Sequence, residues 1–294
     1  MENTVNILAP AKINIFLDVV GKRADGYHDI ASVMQTVGIF DRLKITRSDA
    51  DDGTRRIFVL CDGAPSGEEN TAYSAAEAFF EAAHIDKYVV DIEIEKRIPV
   101  FAGLGGGSSD AAAVIVALNE LYEAHLSLDA MMSAGAAVGA DVPFCVKKGT
   151  CVVTGIGEVV ESCTPMPDCT IVLAVPNGLR ISTKEAYEKI DAAARSASLE
   201  KMRAALAECS LEALRDAMFN KFELILPDDS AVFEVKRKLI EAGAVAAMMS
   251  GSGSAVFGLF YDVPKAKAAL ESLDGTAQAF LCAPVRRAYP YMES

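Results

Sequence analysis

PVFAGLGGGSSDAAA, residues 99–113, places glycines at 103, 105, 106 and 107 and serines at 108 and 109 between an apolar, strand-like run and an alanine-rich helical one. Lacking Cβ atoms, these glycines open positive φ values and let a ligand approach the backbone closely. Ser108, Ser109 and Asp110 read as N-cap or first-turn residues of the helix that follows. The unpaired N–H groups at such a helix start point outward, with the positive end of the helix dipole behind them. Anions, phosphate above all, bind there. A tight turn that merely lets strand pack against helix is the plainer alternative. Four glycines in positions 103–107 are more than a turn needs. Two named phosphate motifs do not fit. No lysine precedes Ser108 or Ser109 as a P-loop requires, and the dinucleotide fingerprint laid on Gly103 and Gly105 meets serine at 108 in place of its third glycine.

Outward from the loop, Tyr88–Ile98 alternates as the strand leading in, and Ala111–Tyr122 reads as the helix leading out. Upstream, Ile13–Val19 reads as a strand, followed by the Gly/Asp-rich loop GKRADGYHD (21–29). Leu43–Arg47 and Arg56–Leu60 read as a hairpin across Asp52-Gly53, and Asn70–Ala83 as a helix. Downstream, Leu128–Ala137 reads as a helix and Cys145–Val160 as two strands turned at Lys148-Gly149. The pattern loosens around Pro165 and Pro167, which divides the chain into domains 1–163 and 164–294. The second part runs strand (Cys169–Val175), several helices ending with Ser230–Ala242, and two strands (Ala244–Met249, Ala255–Phe260) joined by SGSG. A helix from Pro264 and a strand around Ala279–Val285 close it. That order is β-α-β-β-α-β, the split arrangement of a ferredoxin-like layer. The expected class is α+β, with both domains built as helices packed on largely antiparallel sheets.

Composition narrows the function. A net charge of −13 over 294 residues repels nucleic acid and anionic membranes, while leaving room for a locally positive pocket that takes a small phosphorylated ligand. No apolar run is long enough to span a bilayer, and the first residues lack the basic and apolar regions of a secretion signal. Seven scattered cysteines, never in C-x-x-C spacing, fit reduced thiols in a cytoplasmic protein. The three histidines (28, 84, 125) form no cluster with cysteines or carboxylates at ligand spacing, so a metal is expected only in company with a nucleotide.

The glycine loop resembles the Pro-x-x-x-Gly-Leu-Gly-(Gly-Gly)-Ser-Ser-x-Ala-Ala signature of the GHMP kinases, small-molecule kinases that include galactokinase, homoserine kinase and mevalonate kinase. Two more of that family's signatures have counterparts in the correct order: APAKINIFLDVVGKRADGYHDIASVMQTV (9–37) and MMSGSGSAVFG (248–258). The longer forms PAKIN, GKRADGYH, GADVPF (139–144) and ISTKEAY (181–187) narrow the resemblance. They are similar to the branch that phosphorylates the 2-hydroxyl of a cytidine-diphosphate-linked alcohol in the non-mevalonate isoprenoid pathway. The resemblance implies a two-domain cytoplasmic kinase, monomer or homodimer. Its ligands would be ATP, Mg²⁺ carried with it, and a small cytidyl diphosphate acceptor.

It also implies roles. Gly103, Leu104, Gly105, Gly106, Gly107, Ser108 and Ser109 would wrap the ATP phosphates, with Asn70 and Lys96 near the adenosine. Asp141 would be the catalytic carboxylate that receives a hydrogen bond or proton from the acceptor hydroxyl, and Lys12 its cationic partner. Tyr27 and Tyr187 would stack on the two faces of a cytosine while His28 reads its polar edge, with Asn14 and Thr183 close by. By residue type alone, Asn70 reads as a helix cap, Lys96 as a solvated strand end, Asp141 as a turn aspartate and His28 as a loop histidine. Phe101 departs from the family pattern, in which a small residue is frequent there, and Ser254-Ala255 replaces a frequent Pro-Thr.

Overall fold

The computed structural model describes residues 3–191, 193 and 195–286. Its spine is a long antiparallel pair, β1 (Thr4–Lys22) and β2 (His28–Ser48). From Ala9 to Val19 every residue of β1 is buried, because the sheet is covered on both faces, so the strand reads as a continuous run rather than a clean alternation. Ile7, Ala9 and Leu17 belong to the core shared with the first helices, whereas Ala11, Ile13 and Ile15 pack in a second core with Leu173, Met248 and Phe257. The β1–β2 register shifts at Pro10/Ala11 and at Asn14/Phe16. Bulges of this kind re-aim side chains, and here they bracket Lys12 and Asn14.

The expected hairpin across Asp52-Gly53 does not form. β3 (Arg55–Asp62) pairs in parallel with β4 (Tyr88–Glu95), and β4 lies between β3 and β2. Helix α1 (Thr71–Ala82) carries the chain between the two parallel strands, as a parallel pair requires. Residues 49–54 are long enough to step over one strand, about 10 Å, so the Asp-Gly turn joins elements that never touch. Helices α2 (Gly106–Leu121), α3 (Leu128–Val138) and α4 (Val142–Lys147) follow. The last of these corrects a second expectation. Pro143 sits in the first turn, where its missing N–H costs nothing, and makes VPFCVK a short helix. Lys148 and Gly149, both at positive φ, end that helix and do not turn a hairpin. The hairpin is β5 (Thr150–Thr154) with β6 (Val159–Ser162), turned by Gly155 and Gly157.

The second sheet has strand order β11-β7-β10-β9, formed by β7 (Thr170–Pro176), β9 (Ala246–Met249), β10 (Val256–Phe260) and β11 (Ala277–Cys282). All neighbours are antiparallel, and α8 (Ala231–Glu241) and α9 (Val263–Ser272) pack on it. This is the expected β-α-β-β-α-β layer. Between β7 and α8 the chain inserts α5 (Thr183–Ile190), α6 (Leu199–Glu208), α7 (Leu211–Ala217) and the two-residue β8 (Phe219–Asn220). β8 pairs in parallel with β1 through Phe16↔Phe219 and Leu17↔Asn220, which stitches the second half of the chain into the first sheet.

Candidate active site

Helix α2 begins at Gly106, one turn earlier than the serines suggest. Gly105, at φ 67° and ψ 23°, occupies the N-cap position, so Ser108–Asp110 sit inside the helix rather than capping it. A left-handed N-cap suits glycine, and close packing demands it at its neighbours too. A Cβ on Gly103 would lie 2.3 Å from the Ser250 carbonyl oxygen, and one on Gly105 would lie 2.9 Å from Lys12 Cγ. The plainer packing role of these glycines is therefore real, and it coexists with an open helix start whose first N–H groups have no intrahelical partner.

Two cavities share this loop as a wall. One, about 350 Å³, is lined by Asn70, Thr71, Lys96, Phe101, Gly103, Leu104, Gly105, Gly106, Gly107 and Asp110. The other, about 630 Å³, is lined by Lys12, Asn14, Tyr27, His28, Gly103, Gly105, Ser108, Asp141, Thr183 and Tyr187 among others. They meet at Gly103 and Gly105, between the helix start and the Lys12–Asp141 pair. Every residue assigned to the acceptor lines the larger cavity, although the segments come from β1, the β1–β2 loop, the start of β2, the residue preceding α4, and α5.

Local structure fixes each of these groups. Lys12 is 5% exposed, and its ammonium donates to Asn14 Oδ1 at 2.7 Å and lies 3.4 Å from Asp141 Oδ2. Asn14 in turn donates from Nδ2 to Ser32 Oγ at 2.9 Å. Asp141, immediately before α4, keeps 29% of its side chain exposed toward the cavity. Tyr187 packs edge-on against Phe222 at 5.0 Å and lies 5.2 Å from the His28 ring. Burial, helped by the negative charge of Asp141, pushes its phenol up to about 12 and keeps it neutral. His28 Nε2 is 3.0 Å from Asp191 Oδ1, and Thr183 Oγ1 is 2.9 Å from Ser252 Oγ.

On the other side of the loop, Asn70 caps α1 by accepting from the Ala72 N–H at 2.9 Å and donates to the Pro65 carbonyl at 2.7 Å. It is a helix cap as its residue type suggests, and it also lines the smaller cavity. Lys96 is not a solvated strand end. Its ammonium is buried, donating to Asp41 Oδ2 at 2.5 Å and to Asp110 Oδ2 at 2.7 Å. Asp41 Oδ1 accepts from the Arg97 and Ile98 N–H groups. Burial beside a second carboxylate, only partly offset by Lys96, pushes the Asp110 carboxyl up to about 8. Ser109 is buried with its hydroxyl donating to the Pro10 carbonyl at 2.6 Å, so Ser108 is the serine that faces a cavity. Phe101, at φ 57° and largely exposed, stands at the mouth of the smaller cavity with the Arg180 guanidinium 5.8 Å from its ring. Sequence reading missed Asp41, Asp110, Ser252 and Asp191 as members of the site. Two of them carried a signal: Asp110 as an acid inside the first glycine motif, and Ser252 as a serine inside the second, at 248–258.

The family model described as GHMP kinases N terminal domain matches residues 70–149, and the one described as GHMP kinases C terminal matches residues 202–276. A protein of Syntrophotalea carbinolica named 4-diphosphocytidyl-2-C-methyl-D-erythritol kinase is 40% identical, the match covering 95% of this chain and 99% of that protein. The chain belongs to the GHMP kinases. A protein of the same name from Alkaliphilus metalliredigens is 39% identical over 92% of each chain. A crystal structure of 4-(cytidine 5'-diphospho)-2C-methyl-D-erythritol kinase superposes with a TM-score of 0.75 at 33% identity, covering 96% of this chain and 99% of the other. Homoserine kinase from Cytophaga hutchinsonii superposes with a TM-score of 0.73 at 17% identity, covering 98% of this chain and 96% of the other, a likeness of fold. The two-domain GHMP kinase fold thus holds a phosphotransferase that uses ATP and an alcohol acceptor.

Proposed function

We propose that the chain transfers the γ-phosphoryl group of ATP to the 2-hydroxyl of 4-diphosphocytidyl-2-C-methyl-D-erythritol, giving the 2-phosphate and ADP. The observation that carries this reading is the place of the Lys12–Asp141 pair, at the seam where the two cavities share Gly103 and Gly105. The names of the relatives supply the acceptor.

Phosphoryl transfer needs alignment and charge stabilisation more than covalent help. In this reading the N–H groups at the start of α2 hold the phosphates, backed by the helix dipole. The acceptor hydroxyl donates its hydrogen bond to the Asp141 carboxylate, which orients the oxygen for in-line attack and takes up the proton as the bond forms. The Lys12 ammonium, oriented by Asn14 and 3.4 Å from Asp141, steadies the charge of the moving phosphoryl group. Tyr27, Tyr187 and His28 form the slot for the base. Among the described residues no group of three or more His, Cys, Asp or Glu side chains gathers around a metal position, whereas Ser108 and Asp141 offer oxygens at the cavity wall. That donor set fits Mg²⁺ held mainly by the nucleotide, where it would neutralise phosphate oxygens.

The division at 163/164 belongs to the same reading. It is supported by β6 ending at Ser162 in the first sheet and β7 opening the second at Thr170. A cytoplasmic location does too, and no helix among the described residues is long and apolar enough to cross a membrane. The test is turnover of the full chain with ATP, Mg²⁺ and the cytidyl acceptor, followed by ADP release and by the new phosphomonoester signal in ³¹P NMR. Turnover of homoserine or mevalonate with none of the cytidyl acceptor would overturn the assignment.

A further inference from the structure

His28 meets the larger cavity with one ring nitrogen already committed. Nε2 lies 3.0 Å from Asp191 Oδ1, and the other carboxylate oxygen of Asp191 accepts from Lys22 Nζ at 3.0 Å. An ionised carboxylate accepts hydrogen bonds and cannot donate them, so its presence at Nε2 requires the proton to sit there. The hydrogen bonds from Lys22 and from His28 both hold the Asp191 carboxyl below its ordinary range, which keeps it in the acceptor form. In the neutral ring that leaves Nδ1 as a bare lone pair, and the neighbouring Tyr187 ring restrains the imidazole plane.

A lone pair at the base slot reads hydrogen-bond donors. The edge of cytosine offers one in its 4-amino group, where uracil presents a carbonyl oxygen. We infer that Asp191 is a specificity-determining positioning residue: by fixing His28 in the Nε2–H tautomer, it makes the slot accept a 4-amino pyrimidine and reject a 4-oxo one. The inference rests on the proposed cytidyl acceptor for the identity of the slot, but not on phosphoryl transfer. Asp191 touches neither reacting atom; it acts through His28.

The segment that carries Asp191 has a separate anchor. The buried Asp18 carboxylate accepts from the Ser196 hydroxyl and from the Ala197 N–H, and Lys221 Nζ lies 3.4 Å from its other oxygen. Changes at Asp191 therefore leave that tie to β1 in place. Two variants have different expected outcomes. Asp191→Ala removes the acceptor and lets His28 sample both tautomers. Asp191→Asn keeps the shape; with Lys22 holding the amide oxygen, the amide N–H₂ faces Nε2 and drives the ring to the Nδ1–H form.

The test uses the full chain without acceptor for the first readout. Long-range ¹H–¹⁵N spectra of the neutral His28 ring report its tautomer. Titration with cytidine 5'-diphosphate and uridine 5'-diphosphate then gives the ratio of the two dissociation constants. The expected result is Nε2–H in the parent, a mixture in Asp191→Ala and Nδ1–H in Asp191→Asn. The preference for the cytidine ligand should fall about tenfold or more in both variants, furthest in Asp191→Asn. Parent His28 in the Nδ1–H form, or an unchanged ratio in variants whose tautomer has changed, would overturn the inference. A parent that prefers the cytidine ligand through Asp191 yet transfers no phosphate would leave it standing and sink the kinase reading instead.

Discussion

Replacing Gly105 by alanine separates the loop's structural role from its chemical one. Gly105 holds φ 67°, and a left-handed backbone costs a residue with a Cβ about 1–2 kcal/mol. The new methyl would also lie 2.9 Å from Lys12 Cγ and 3.2 Å from its Cε. Carbon atoms rest about 3.5–4.0 Å apart, so the lysine stem must retreat by roughly 0.5–1 Å. That stem is buried, and its ammonium is held between Asn14 at 2.7 Å and Asp141 at 3.4 Å, so the displacement reaches the charge itself. A misplacement of about 1 Å at a reacting centre is enough for a loss of about 10²-fold in rate. Gly105→Ala should therefore lose about 1–2 kcal/mol in urea unfolding and about 10²-fold in kcat. Gly107→Ala is the control. It lies in the first turn of α2, where its added methyl meets only Thr71 Oγ1 at 3.3 Å, and alanine is the better helix former by up to about 1 kcal/mol. It should keep its stability and kcat while raising KM for ATP, because Gly107 and the Thr71 side chain its methyl meets both line the smaller cavity. A Gly105→Ala enzyme that keeps kcat within about twofold of the parent would refute the placement of Lys12 at the reacting centre.

Two other substitutions probe the flanking cavities. Tyr27→Ala removes an exposed aromatic wall of the larger cavity. Base stacking is worth about 1–3 kcal/mol, so KM for the cytidyl acceptor should rise tenfold or more, to order of magnitude, with KM for ATP nearly unchanged; an equal rise in both would contradict the stacking role. Asp110→Asn tests the buried Lys96 cluster through pH. The folded Asp110 carboxyl is raised to about 8, above its ordinary value of 3.8, so the stability it confers is full below the ordinary value and is lost as pH rises through about 8. The asparagine variant lacks that dependence. Relative to the parent it should gain stability on the order of 3 kcal/mol between about pH 5.5 and 8.5, read by urea unfolding at both, and a constant difference would show that Asp110 titrates normally.

Much of this was legible in the chain because local pattern carried it. The glycine run could be read as an open helix start, and the second sheet's element order followed from turn and helix signals alone. What escaped depends on partners far away in sequence. Leu43–Arg47 and Arg56–Leu60 flank a good turn, yet the neighbour of β2 is β4, a choice made by the α1 crossover rather than by Asp52-Gly53. Cys145–Val146 is apolar enough for a strand, and Pro143, two residues upstream in the first turn, tips it to helix. Lys96 looks like a surface lysine until Asp41 and Asp110 converge on it. The same holds for His28, whose partner Asp191 lies on the other half of the molecule. Spacing within one strand or loop contains no trace of either contact.

The alignment of an alcohol by Asp141 against a triphosphate held at the start of α2 is tested most directly by Asp141→Asn. The amide keeps the shape beside Lys12 but removes the acceptor charge. ATP affinity measured by calorimetry should stay within about threefold of the parent, while single-turnover transfer to the cytidyl acceptor falls by about 10²–10⁴-fold. Transfer at the parent rate by that variant would contradict the account.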